Sequence, residues 1–134
     1  MKTIAERLLI KPGARLRVNG PTVDGPPSAG AALIGELPDG AATVDDGRAD
    51  VVVLFVRDVA ELRATLPEAA GAAGHDGLLW LAYPKLGSGI ESDLRRDAIT
   101  PLTDEIAELT GVALISIDST WSAMRLRPSS RYPA

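Results

Sequence analysis

The sequence predicts a one-domain α/β fold with a mostly parallel sheet and an antiparallel last strand. Three observations predict it. Two runs, "DVVVLFV" (Asp50–Val56) and "GLLWLAY" (Gly77–Tyr83), are apolar throughout, the habit of strands buried on both faces beneath helices. Segments with helical spacing alternate with the strand-like runs. The last two runs, "VALISI" and "STWSAMRLRP", are joined only through Asp118–Thr120, too short for a crossover helix, so they run antiparallel. A chain of 134 residues suits a single domain, with residues 128–134 expected as a frayed tail.

In chain order, Ile4–Ile10 reads as one or two amphipathic helical turns halted by Pro12-Gly13. "ARLRV" (Ala14–Val18) is a short strand, and "NGPTVDGPPSAG" (Asn19–Gly30) is a loop dense in breakers. "AALIGEL" is expected as a short helix and "AATVDD" as a short strand. After the first fully apolar run, Asp58 with Glu61 resembles a capping box, and Val59, Leu62, Leu66, Ala69 and Ala70 recur at helical spacing. Pro67 is expected to kink that helix or end it early. Ser88 with Glu91, or a cap nearer Ser92, starts a further helical region. Thr100-Pro101 is expected to split it, because the residue before proline is pushed out of the α region. Gly111 is expected to stop the helix before "VALISI", a third buried strand.

Composition excludes several chemistries. There is no cysteine, so disulfides, thiolate metal sites and cysteine nucleophiles are ruled out, which fits a reducing cytoplasm. Net charge is −4, a poor start for neutralising phosphates, so no nucleic-acid partner is expected. The apolar runs are strand-sized, so no membrane span is expected, and Glu6 and Arg7 inside the first apolar stretch argue against a signal peptide.

"LWLAYPK", "DLRRD" and "DSTWSAMRLRP" carry a resemblance. They are similar to an uncharacterised bacterial family of small domains of unknown function, whose pattern resembles "YPK … DLTRD … D-x-x-W-S-A-x-R-F-R-P". That family in turn resembles a shortened class I, S-adenosylmethionine-dependent methyltransferase fold. The match covers nearly the whole chain; Arg95 departs from it, standing where the pattern has Thr. The resemblance implies a Rossmann-like three-layer sandwich whose last strand runs antiparallel and inserts beside the strand preceding the long helix; if that strand is "GLLWLAY", Lys85, Asp118 and Trp121 become neighbours. It does not by itself imply activity. A methyltransferase needs a glycine-rich turn after its first strand, and here that turn reads "RVNGPTVDGPP". Pro21, Pro26 and Pro27 have no N–H to offer a ligand, and Gly20 and Gly25 do not recreate the spaced glycines. Asp24 is a lone turn residue. No cofactor is therefore expected.

Ligands of open α/β sheets bind outside the carboxyl ends of the parallel strands. Those ends are Asn19-Gly20, Arg57-Asp58, Tyr83-Pro84-Lys85 and Asp118, with the start of the last strand, Trp121, beside them. Tyr83, Lys85, Asp118, Trp121 and Arg57 are accordingly the candidate ligand-binding residues. The competing structural expectation is that Asp118 or Glu91 neutralises Lys85 while Trp121 fills the sheet's rim. Arg95 and Arg96 in "DLRRD" could meet an anion at the cleft mouth, or form a solvated helix face. Arg125 and Arg127 share one side of the last strand with Trp121 and Ala123. His75, the one histidine, lies in a turn at the other end of the sheet, so neither a triad nor a histidine metal cluster is expected. Ser88 lacks the nucleophile-elbow spacing, and "VDDGRAD" lacks the regular carboxylates of a calcium loop.

These readings lead to a non-catalytic binding or interaction module in the cytoplasm, with an unidentified small molecule or protein, a second copy of the chain included, as partner. The alternative is a small-molecule-binding protein or enzyme using the strand carboxyl ends. An active methyltransferase is the weaker third reading.

Overall fold

The computed structural model describes residues 3–19, 33, 35–44, 47–74 and 77–129. Their elements run α1 (Ile4–Arg7), β1 (Arg15–Asn19), β2 (Ala42–Thr43), β3 (Val51–Phe55), α2 (Val59–Ala73), β4 (Leu78–Pro84), α3 (Arg96–Ala107), β5 (Leu109–Ser116) and β6 (Trp121–Pro128). The six strands form one sheet in the order β2-β1-β3-β4-β6-β5. β2, β1, β3 and β4 are mutually parallel, while β6 is antiparallel to both β4 and β5. The expected insertion of the last strand beside β4 is what the register shows, with Tyr83 opposite Ser122 and Pro84 opposite Trp121.

Strand alternation divides the core in two. On one face Val52, Leu54, Leu79, Leu81, Tyr83 and Leu126 pack with Leu62, Leu66 and Ala69 of α2 and Ile99 of α3. On the other face Val51, Val53, Phe55, Trp80, Ala82, Trp121 and Ala123 pack with Ile4, Ala5 and Leu8 of the N-terminal segment and with Leu33. β3 is buried at every position, as a central parallel strand must be. The N-terminal segment is fixed by a Thr3/Glu6 capping box and by the Trp80 indole, whose Nε1 donates to the Leu8 carbonyl at 2.9 Å.

Several sequence expectations need correction. α2 passes through Pro67 to Ala73, and α3 passes through Pro101 to Ala107. Each proline is exposed, and so is the residue four back whose carbonyl it leaves unbonded, Arg63 and Asp97. A carbonyl released toward solvent costs little, so neither helix ends. The start of α3 is at Arg96, not near Ser88 or Ser92. Those hydroxyls accept from the amides two residues on, Ile90 at 3.4 Å and Leu94 at 3.0 Å, and so close local turns. Asp58 does cap α2, accepting the Glu61 amide at 2.9 Å, but the Glu61 carboxylate returns to the Arg57 amide at 2.7 Å instead of closing a box on Asp58.

The stop of α3 is Glu108 in the left-handed region (φ 54°, ψ 48°), and Gly111 lies inside β5. Gly111 answers a different demand: a Cβ there would overlap the Met124 sulfur and crowd the Thr100 hydroxyl at 3.1 Å. β5 is the edge strand, with Leu114 42% exposed, because β6 takes the place beside β4 that would have buried it. Pro128 belongs to β6 opposite Leu109. Ser129 is held to α3, its amide donating to the Glu108 carbonyl and its hydroxyl to Asp104. The rest of the expected frayed tail, 130–134, lies outside the described residues, as do the expected loop 20–30, the turn with His75, and the carboxylates Asp45 and Asp46.

Candidate functional site

The carboxyl ends of β3 and β4 open into two clefts that share a wall. One, of about 710 Å³, lies between the start of α2 (Asp58, Ala60) and the connection from Pro84 to Arg95, with Glu91, Ser92 and Asp93 on its floor and rim. The other, of about 460 Å³, lies between Tyr83–Leu86, Leu94–Asp97 and Ser122. Pro84, Lys85, Leu86 and Arg95 line both. Leu86 is 84% exposed on the shared wall, an apolar side chain with no core to join.

Lys85 is placed by the end of the ladder. Pro84 closes β4, and the Lys85 amide donates to the Thr120 carbonyl at 2.7 Å. The ammonium donates to the Ser116 hydroxyl at 2.6 Å. Among the described residues it makes no ion pair with Asp118 or Glu91, which corrects the structural expectation for this lysine. The reason lies in Asp118. Its Oδ1 already accepts the amides of Thr120 and Trp121, both at 2.8 Å, and so fixes the β5–β6 turn. Ser116 in turn donates to the Asp118 carbonyl at 3.3 Å, so Lys85 meets Asp118 only through a hydroxyl.

Tyr83 and Trp121 are on opposite faces. Tyr83 belongs to the α2/α3 face, is buried, and lies opposite Ser122 across the ladder. Burial pushes its phenol above the ordinary 10.0, partly offset by the nearby Arg96 guanidinium and by Ser122. Trp121 is 1% exposed on the other face, edge-on to Phe55 with ring centroids 5.1 Å apart at 86°. Its indole lines neither cleft. The expectation of a site shared by phenol and indole therefore fails on strand parity, since Trp121 and Ser122 must point to opposite faces.

Arg57 also stands apart. It clasps Glu61 one turn along α2, with Nε and a terminal nitrogen each 3.1 Å from a carboxylate oxygen. That bond holds the Glu61 carboxyl below its ordinary 4.5. Arg95 and Arg96 do reach the smaller cleft, and one Arg95 nitrogen donates to the Ser92 carbonyl at 2.9 Å. The cleft wall thus carries Lys85, Arg95 and Arg96 against the single carboxylate of Asp97. No group of three His, Asp or Glu side chains among the described residues could hold a metal. Among the same residues, no helix is long and apolar enough to cross a membrane.

Ser116 and Ser122 were not foreseen. Ser116 leaves no signal, because a serine at a strand end is common and its partner is 31 residues away. Ser122 was legible: once β6 lies beside β4, it must face Tyr83.

With this geometry in hand, solved structures give a uniform answer. No family model and no curated protein matches the chain. An O-methyltransferase of neocarzinostatin biosynthesis superposes with a TM-score of 0.58 at 17% identity, over 90% of this chain and 50% of its own. The fold is methyltransferase-like. An S-adenosylmethionine-dependent methyltransferase from Aquifex aeolicus gives 0.57 at 8% identity, over 92% and 86%. A TehB-like S-adenosylmethionine-dependent methyltransferase from Corynebacterium glutamicum gives 0.55 at 12%, over 96% and 89%. The chain spans half the length of the first of these. Identities this low speak for the shared methyltransferase-like fold and for nothing chemical.

Proposed function

We propose that this methyltransferase-like domain is a binding module for a small anionic ligand, held at the carboxyl ends of β3 and β4. The observation that carries the reading is Lys85: a cation on the wall of both clefts, bonded to a hydroxyl and, among the described residues, to no carboxylate. An ammonium with a neutral partner keeps most of its charge available to a ligand. Arg95 and Arg96 add planar donors suited to carboxylate or phosphate oxygens. Among the starting alternatives, this favours the small-molecule-binding protein over the pure interaction module. The prolines that follow β1 in the sequence, which offer no N–H, support a ligand other than S-adenosylmethionine.

The test is thermal unfolding with added inorganic phosphate at constant ionic strength, in wild type and in Lys85→Met. A ligand that binds only the folded state raises the midpoint by mass action. The expected result is a rise of several degrees in wild type that vanishes in the variant. No rise in either protein, or an equal rise in both, would overturn the assignment. Calorimetric titration with S-adenosylmethionine separates the remaining reading: saturable binding at micromolar affinity would restore methyl transfer as the function.

A further inference from the structure

Among the described residues, four arginines have a buried Nε with no hydrogen-bond acceptor: Arg7, Arg17, Arg125 and Arg127. Two of them are accounted for at their tips. Arg7 donates its terminal nitrogens to the Ser116 and Ile117 carbonyls. Arg17 donates to the Gly47 carbonyl at 3.1 Å and pairs with Glu68 at 3.0 Å. Arg125 and Arg127 have neither a hydrogen bond nor an ion pair among the described residues. Buried polar groups are ordinarily satisfied, so two adjacent exceptions call for a cause.

Their placement suggests one. Both lie on the face of β6 that carries Ala123, and their cross-strand neighbours are Trp80, Ala113 and Thr110, none of them acidic. Each is half-buried, and its terminal nitrogens, unlike its Nε, are not among the buried atoms that lack a partner. Two residues apart on one face of a strand, they stand about 6.8 Å from each other. That is also the spacing of alternate side chains in an extended peptide, and each guanidinium can take one carboxylate in a two-pronged bond.

We propose that Arg125 and Arg127 form a docking surface for an extended acidic protein segment bearing carboxylates at alternate positions. Two cations are too few for nucleic acid, whose binding rests on many phosphate contacts. The surface is separate from the cleft at Lys85, which lies past the other end of β6.

The test uses the full chain and a fluorescent hexapeptide, Thr-Glu-Thr-Glu-Thr-Glu, followed by anisotropy at low salt. Wild type should bind it, while the Arg125→Met/Arg127→Met double variant should bind at least about tenfold more weakly. The peptide with Gln in place of Glu should not bind. Methionine keeps the apolar stem, and no partner is lost, so the double variant should melt no lower than wild type. Binding that survives in the double variant, equal binding of the Gln peptide, or no binding at millimolar peptide would overturn the proposal. So would a double variant that melts several degrees lower or fails to fold, since both arginines would then be structural. Tighter binding of single-stranded DNA than of the peptide would overturn it in favour of a phosphate surface.

Discussion

Replacing Trp121 with alanine should be among the costliest truncations on the face of the sheet that the N-terminal segment covers. The indole is 1% exposed, sits edge-on to Phe55, and heads the strand that joins β4 to β5. A buried indole removes roughly 200 Å² from water, which at about 25 cal/mol per Å² amounts to about 5 kcal/mol. Losing the edge-to-face pair adds about 1 kcal/mol, and partial collapse of the cavity returns a similar amount. The expected loss is therefore about 4–5 kcal/mol. For a chain of this length each kcal/mol lowers the melting midpoint by about 3–4 °C, so Trp121→Ala should melt about 15 °C below wild type. Circular dichroism melts and urea titrations measure it. In a Trp80→Phe background, Trp121 fluorescence should be blue-shifted and poorly quenched by iodide. A variant melting within 3 °C of wild type would refute the packing argument and return Trp121 to the ligand-facing role first expected of it.

Gly111→Ala should destabilise by about 1–3 kcal/mol through overpacking against Met124, and Met124→Ala in the same chain should recover part of the loss in urea melts. Glu61 is held below 4.5, so its contribution is complete above that pH and disappears as pH falls through the lowered value. Glu61→Gln should accordingly flatten the acid limb of the stability profile below pH 4.5. Tyr83 is shifted the other way: its contribution is complete below pH 10 and disappears as pH rises through the raised value. In Tyr132→Phe, which leaves Tyr83 as the one tyrosine, tyrosinate absorbance should develop only above pH 10, and Tyr83→Phe should abolish it.

Much of the fold was legible because its signals are local. The fully apolar runs became β3 and β4, the short Asp118–Thr120 connection forced an antiparallel pair, and Asp58 capped its helix as read. What failed depended on distant neighbours. Pro67 and Pro101 do not end their helices because each helix turns them, and the residues whose carbonyls they free, toward solvent, and that follows from which face packs. β5 read as a buried strand from its composition, yet its place at the edge is decided by where β6 inserts. The candidate site divides the same way. That Lys85 ends a strand was plain from Pro84. That its ammonium meets Ser116, and that Asp118 is already occupied by two amides, required the three-dimensional turn. Trp121 and Tyr83 could have been separated beforehand: alternation along β6 and the expected pairing with β4 place them on opposite faces.

The sheet order carries a consequence for the growing chain. β6 is synthesised after both strands it separates, so neither β4 nor β5 meets its final neighbour on that side until β6 has emerged. Until the chain has been made through Pro128, the edge of β4 that β6 will cover has unpaired backbone groups along Leu79–Pro84, a run that is buried in the finished domain. An apolar, unpaired edge of that length invites pairing with another chain. Synthesis through β6 is thus also the step that shields the nascent protein from its neighbours. A ribosome pause between Ser116 and Pro128 would prolong the exposure, whereas one earlier than β4 would not.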